Sequence, residues 1–278
     1  MTYKTILVHL NDERRVAGLI DAATLIGSRS DAHVIALYVM PPVPTYGPTS
    51  FGAGYVQAGL KAFREEADRV HKAFEEASRG RSIVPEWRLV VPGEKSVADC
   101  VIEHGRCADL MIASQRDQDF DFSAVLDVPE RLVVESGRPV LIIPKVGRYP
   151  TLGSRVTVAW NTRREATRAV FDALPLLQAA ERVRIVWVNP QNEPQVSGDL
   201  PGAEISATLA RHGVKCEAAT AVSGEIGVGD VLLSGLTDDA SDLLVMGAWG
   251  HSRMRELVFG GATRHILEHM TTPVLMSH

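Results

Sequence analysis

A tandem repeat sets the strongest limit on how these 278 residues can fold. TILVHLN at 5 to 11 is answered by VTVAWNT at 156 to 162, each a short apolar run reaching an asparagine. HVIALYVMP (33 to 41) is answered by RVRIVWVNP (182 to 190), the same length of β-branched and aromatic residues stopped by proline. VPGEKSVADCVIE (91 to 103) and VSGEIGVGDVLLS (222 to 234) keep Gly93/Gly224, Glu94/Glu225 and Asp99/Asp230 in one register. ADLMIAS (108 to 114) then matches SDLLVMG (241 to 247), and RPVLIIP (138 to 144) matches TPVLMSH (272 to 278). Five matched segments in one order make a duplication, so the two halves are expected to share a fold. The join falls near KVGRYPTLGS, a Pro/Gly/Ser stretch suited to a linker, which gives domains 1–147 and 154–278.

Within each half, apolar runs of five to seven residues alternate with stretches such as ERRVAGLIDAATLIGSRS and RREATRAVFDALPLLQAA, whose apolar residues recur at three- and four-residue steps. That alternation predicts a parallel sheet covered by helices. Near-continuous apolar strands such as DLLVM fit a sheet buried on both faces. The expectation is an α/β protein of two tandem, doubly wound, five-stranded parallel-sheet domains, with ligands beyond the carboxyl ends of the strands. Only the first half carries an insertion, a Pro/Gly/Tyr stretch at 41 to 60 followed by a charged amphipathic helix. It reads as an exposed connection or as a loop able to cover a cleft.

A formal net charge of −5 argues against a nucleic-acid partner, since phosphate-backbone binding needs a Lys/Arg excess. Cys100, Cys107 and Cys216 are too scattered for a disulfide framework and offer no C-x-x-C zinc knuckle. The start, MTYKTILVHLNDE, lacks the apolar core of a signal peptide, and no apolar run reaches membrane-spanning length. These features predict a cytoplasmic chain with no membrane partner.

MGAWGHSRMRELVFGGATRHIL, residues 246 to 267, places Gly247, Gly250, Gly260 and Gly261 between a strand and a helix expected to start near Thr263. Glycine serves where the backbone must take positive φ or lie against a ligand, so the segment reads either as a turn or as a phosphate cradle. In the second reading the amides of 261 to 263 point out of a helix N-terminus, which binds anions without a basic side chain. Other matches fall short. GEKS at 93 to 96 lacks the glycines of a P-loop, and GHSRM at 250 to 254 ends in Met254 where a nucleophile elbow needs glycine. HILEH at 265 to 269 has inverted zinc-peptidase spacing but lacks a further ligand and reads as a helix edge. No catalytic base and no metal ligand is assigned.

G-x-x-G, nine residues, then G resembles the nucleotide-binding signature of the universal stress protein family, whose tandem members carry two such domains in one chain. The resemblance runs through both first strands, the strand-Gly-helix repeat and both closing PVL strands. It implies adenine nucleotide alpha-hydrolase-like domains packed as an intramolecular pseudo-dimer through VLIIP and VLMSH, with a further homodimer left open. It also implies binding of ATP, or of ADP or AMP, alone or with Mg. The residues implied are Asn161, Val188, Met246, Gly247, Gly250, Gly260, Gly261, Ala262 and Thr263, with Asn161 and Val188 at base and ribose, Met246 and Ala262 lining the pocket, and Thr263 with the nearby amides at the phosphates. Two positions depart from the pattern: Asn161 stands where the family usually has aspartate, and Gly261 where it usually has Ser or Thr. The first half departs further, because residues 113 to 132 contain no glycine and carry Asp117, Asp119, Asp121 and Asp127, which repel phosphate. One competent site is therefore expected, in the second half, with a stress sensor or regulator as the function. A scaffold without nucleotide affinity and an ATP-using adenylyl-transfer enzyme are the alternatives.

Overall fold

The computed structural model describes residues 2–42, 53–117, 127–192, 201–248 and 261–278, which fall into two compact units, Tyr3–Arg138 and, with Thr2, Pro139–His278. The first unit holds strands β1 (Thr5–His9), β2 (His33–Val39), β3 (Val84–Val90) and β4 (Leu110–Ser114). Helices α1 (Glu13–Gly27), α2 (Ala53–Ser78), α3 (Val97–Gly105) and α4 (Val128–Glu135) connect or follow them. All strand pairs are parallel, in the order β3-β2-β1-β4. Helix α2 begins at Ala53, so 53–60 of the expected loop are helical, while 43–52 lie outside the described residues.

The second unit opens with β5 (Val140–Ile143) and continues through β6 (Arg155–Ala159), α5 (Arg164–Asp172), α6 (Leu174–Ala179), β7 (Arg182–Val188), α7 (Ala203–Arg211), β8 (Cys216–Ala221), α8 (Val228–Asp238), β9 (Leu243–Gly247), α9 (Gly261–His269) and β10 (Val274–Ser277). The expected single helix over RREATRAVFDALPLLQAA is two helices. They meet at Ala173, because Pro175 lacks an amide hydrogen and disfavours helical geometry in the residue before it.

In the second unit β10-β9-β6-β7-β8 run parallel, and β5 pairs antiparallel to β10 with Val140 opposite Met276 and Ile142 opposite Val274. The strands grow outward from β6 in both directions, the doubly wound order expected of each half. β5, the closing strand of the first repeat, thus sorts with the second unit, where the VLIIP and VLMSH segments form one ladder.

Burial explains the strand sequences. Ile6, Leu7 and Val8 in β1 and Leu243, Leu244 and Val245 in β9 are fully buried, as sheets covered on both faces require. Thr157 is the buried polar exception in β6, and its hydroxyl pairs with that of Ser241 at 2.8 Å. The repeat also explains one acid. Asp109 accepts hydrogen bonds from the backbone nitrogens of Lys4 (2.8 Å) and Thr5 (2.9 Å), and Asp242 does the same for Ser154 (3.1 Å) and Arg155 (3.0 Å). Each carboxylate satisfies backbone donors at the entrance of the first strand of its repeat, β1 or β6. This clamp aligns Thr5 with Arg155, so Asn11 and Asn161 occupy equivalent places. Among the described residues no helix is long and apolar enough to cross a membrane.

Candidate functional site

In a doubly wound sheet the strand order reverses around the first strand, and the crevice beyond the carboxyl ends there is left open. In the second unit that place is a cleft of about 710 Å³ beyond β6, β7 and β9, within the range of small-molecule sites. Seven sequence-expected residues line it together: Asn161, Val188, Met246, Gly247, Gly261, Ala262 and Thr263. Gly250 and Gly260, with Ser252, Arg253 and Arg255, lie outside the described residues.

Each wall has a local cause. After β6 the chain passes Trp160 and Asn161 and turns at Thr162, which takes a left-handed φ of 60°. Asn161 Oδ1 accepts from the Arg163 backbone nitrogen at 3.1 Å, a side-chain turn that feeds α5. This engages the Asn161 carbonyl with the backbone, so its amide nitrogen is the polar end it can present to a ligand. Beyond β7, Asn189 takes a φ of 54° and grips the end of β8: its amide nitrogen donates to Ser223 Oγ (2.8 Å) and its carbonyl accepts from the Ser223 backbone nitrogen (2.9 Å). That pair fixes the backbone of Val188 at the cleft edge.

Gly247 and Gly261 do different work. At Gly247 a Cβ would stand 2.4 Å from the Ala166 backbone nitrogen and 2.4 Å from the Glu165 carbonyl carbon, so the end of β9 lies directly against α5. At Gly261 a Cβ would meet nothing within 4 Å. Among the described residues helix α9 runs over Gly261–His269, and Thr263 within it is buried. Residues 261 to 263 stand at the cleft end of this helix, where a first turn's amide donors lack intrahelical partners.

The N-termini of α5, α8 and α9 all reach this cleft through Arg163, Gly227 and Gly261. Their combined partial positive charge suits an anion. Two further residues escaped the sequence reading as a pair. His265 Nε2 lies 2.9 Å from Asp230 Oδ1, joining α9 to α8 at the cleft wall. Gly229 makes room for the ring, since a Cβ there would stand 2.7 Å from His265 Cδ2. The signal was present in the repeat, because Asp99 and Asp230 share a register and Asp99 likewise bonds Arg131 of α4 at 2.6 Å. Thirty-five positions separate Asp230 from His265, and only the packing of α8 on α9 joins them.

In the HILEH segment, His265 and His269 stack with ring centroids 4.4 Å apart, and His269 Nδ1 donates to the His265 carbonyl at 3.0 Å. The rings lie face to face and their nitrogens serve different partners. In GEKS, Gly93 takes a φ of 64° and its repeat Gly224 a φ of 55°, both with open space around them, as a strand-to-helix turn requires.

The equivalent place in the first unit holds a cavity of only about 20 Å³, room for a single water. Side chains occupy what the second unit leaves open. His9 stands where Ala159 is, Ser114 where Gly247 is, and Arg15 pairs with Asp117 at 3.0 Å across the opening. His9 is 3% exposed with no partner for Nε2, and burial pushes its pKa down to about 4. Asp12, meanwhile, caps α1 by accepting from the Arg14 backbone nitrogen at 2.9 Å.

No protein-family model matches the chain. It is 33% identical over 151 residues to the universal stress protein Slr1230 of Synechocystis, a match that takes in 52% of this chain and 49% of that protein. The chain therefore spans about half the length of the curated relative it matches. In fold it resembles a universal stress protein from Archaeoglobus fulgidus, with 15% identity, a TM-score of 0.69, and 98% of this chain and 95% of that chain covered. A second likeness is to a putative universal stress protein from Pseudomonas aeruginosa, with 15% identity, a TM-score of 0.56, and 99% and 93% covered. The chain is thus similar in sequence to a universal stress protein over about half its length, and similar in fold to two-domain chains over nearly all of it.

Proposed function

We propose that the second unit binds an adenine nucleotide, ATP or a related species, and that the chain acts as a sensor or regulator through that occupancy. The observation that carries this reading is the convergence of seven signature-matched residues on one cleft at the strand-order reversal, beside three helix N-termini. In this reading the amides of 261 to 263 hold phosphate, the Asn161 amide and the Val188 backbone meet the base and ribose, and Met246 and Ala262 pack against the ligand. In this reading the first unit is a structural partner, supported by the small cavity of about 20 Å³ among its described residues.

Calorimetric titration of the full chain with Mg-ATP, ADP and AMP tests this directly. One nucleotide per chain is expected, and Ala262→Trp, which fills the cleft, should weaken binding by at least about tenfold, the equivalent of 1.4 kcal/mol. Absence of binding at millimolar nucleotide overturns the reading in favour of a scaffold, and two equivalents per chain overturns the confinement to one unit.

A further inference from the structure

The repeat places a cation against the same acid in both units. In the first, Arg131 of α4 bonds Asp99 of α3, and in the second His265 of α9 bonds Asp230 of α8. The arginine is charged at every physiological pH, whereas histidine carries charge only when protonated. The titratable version stands in the unit whose cleft is open.

His265 is also aimed. Gly261, His265 and His269 are spaced four apart and lie on one stripe of α9. Helical Cα–Cβ bonds tilt toward the helix N-terminus, and His265 lines the same cleft as Gly261, Ala262 and Thr263. Gly261 presents nothing in between, because a Cβ there meets open space. The Cβ–Cγ–Cδ2 edge of the ring rests against Gly229 and Nε2 faces Asp230, which leaves Nδ1 on the opposite edge. Among the described residues, the charged and titratable groups near the ring or in the same cleft are Asp230 from α8, Arg163 at the start of α5, and Arg264, Glu268 and His269 from α9, with Arg264 paired to Glu268 at 2.8 Å.

We propose that His265 is a phosphate-contacting residue of this cleft, taking the place of the hydroxyl that Gly261 lacks, and that it does so only as the imidazolium. The inference rests on the nucleotide reading above. With Nε2–H given to Asp230, a neutral ring turns the Nδ1 lone pair toward phosphate oxygen, which repels. A protonated ring donates Nδ1–H to the phosphate, a charge-assisted hydrogen bond. Nucleotide binding then takes up a proton and weakens as pH rises.

The test is ATP calorimetry on the full chain at about pH 6 and about pH 8, in two buffers of different ionisation enthalpy, for wild type, His265→Gln and His265→Arg. Protonation of the nucleotide itself is common to all three proteins and cancels in their comparison. Wild type should lose about tenfold in affinity relative to His265→Gln across this interval, since hydrogen bonds to charged groups are worth at least that factor. It should also take up a proton that His265→Gln does not, and His265→Arg should bind more tightly than wild type at the higher pH. Equal pH dependence of wild type and His265→Gln overturns the proposal while leaving nucleotide binding intact. No binding by wild type at either pH overturns the nucleotide reading itself, and this proposal with it. Should Gln disturb the fold, the His265→Arg comparison decides alone.

Discussion

The carboxyl end of β9 touches the first turn of α5 through Gly247 and the Ala166 backbone nitrogen, with room for no atom beyond the glycine hydrogen. The contact belongs to the frame of the cleft rather than to its ligand surface. It separates two glycines that look alike in the sequence: one is required by packing, the other stands over open space.

Alanine substitution should therefore split them. Gly247→Ala drives a methyl into backbone that cannot swing aside and is expected to destabilise the second unit by about 2–3 kcal/mol. Gly261→Ala, in a helical position with nothing nearby, should stabilise it by about 0.5 kcal/mol through the unfolded chain. Urea unfolding of the two variants reads the difference, and similar effects in both would refute the distinction.

The first unit should weaken in mild acid for a reason traceable to His9. Its folded-state pKa of about 4 lies below the ordinary value of 6.5, so between these the unfolded chain binds more protons. Stability from the buried neutral ring is complete above the ordinary value and is lost as pH falls toward the folded one. About 2 kcal/mol should disappear between roughly pH 7 and pH 5. His9→Leu should remove that part of the pH slope, and an unchanged slope in the variant would show that other groups are responsible.

Helix caps should respond unequally in the two repeats. Ser96 caps α3 in a reciprocal box with Asp99, whose carboxyl is held down to about 2 by the Ser96 hydroxyl and then by Arg131. Its repeat, Gly227, caps α8 with no side chain, and Asp230 turns to His265 instead. Ser96→Ala should cost about 1 kcal/mol. Gly227→Ser should add a comparable capping bond and draw Asp230 from the imidazole, visible by NMR as a shift in the His265 ring resonances.

Much of this architecture was readable because it is stated twice. The strands follow from β-branched runs between turn residues, and the clamp of Asp109 on Thr5 reappears as Asp242 on Arg155. The gathering of Asn161, Val188, Met246 and the 261 to 263 segment was legible through the signature and the strand order. What escaped were facts of distance and crowding. Nothing local in the sequence says that Gly247 abuts α5 or that Gly229 seats a ring from another helix. The pairing of Asp230 with His265 depends on helix packing that no periodicity encodes.

The ladder between β5 and β10 joins residues about 130 positions apart. Within the second unit β5 is translated before every other strand and β10 after them, so this sheet cannot close while the intervening chain is still being made. Until then the edge of β5 that pairs with β10, along Val-Leu-Ile-Ile, has no strand beside it. Contacts of such long sequence separation form slowly, and an open apolar strand edge is an invitation to the wrong neighbour. The same ladder that completes the unit therefore makes its assembly a late event, with an interval in which chaperoning matters most.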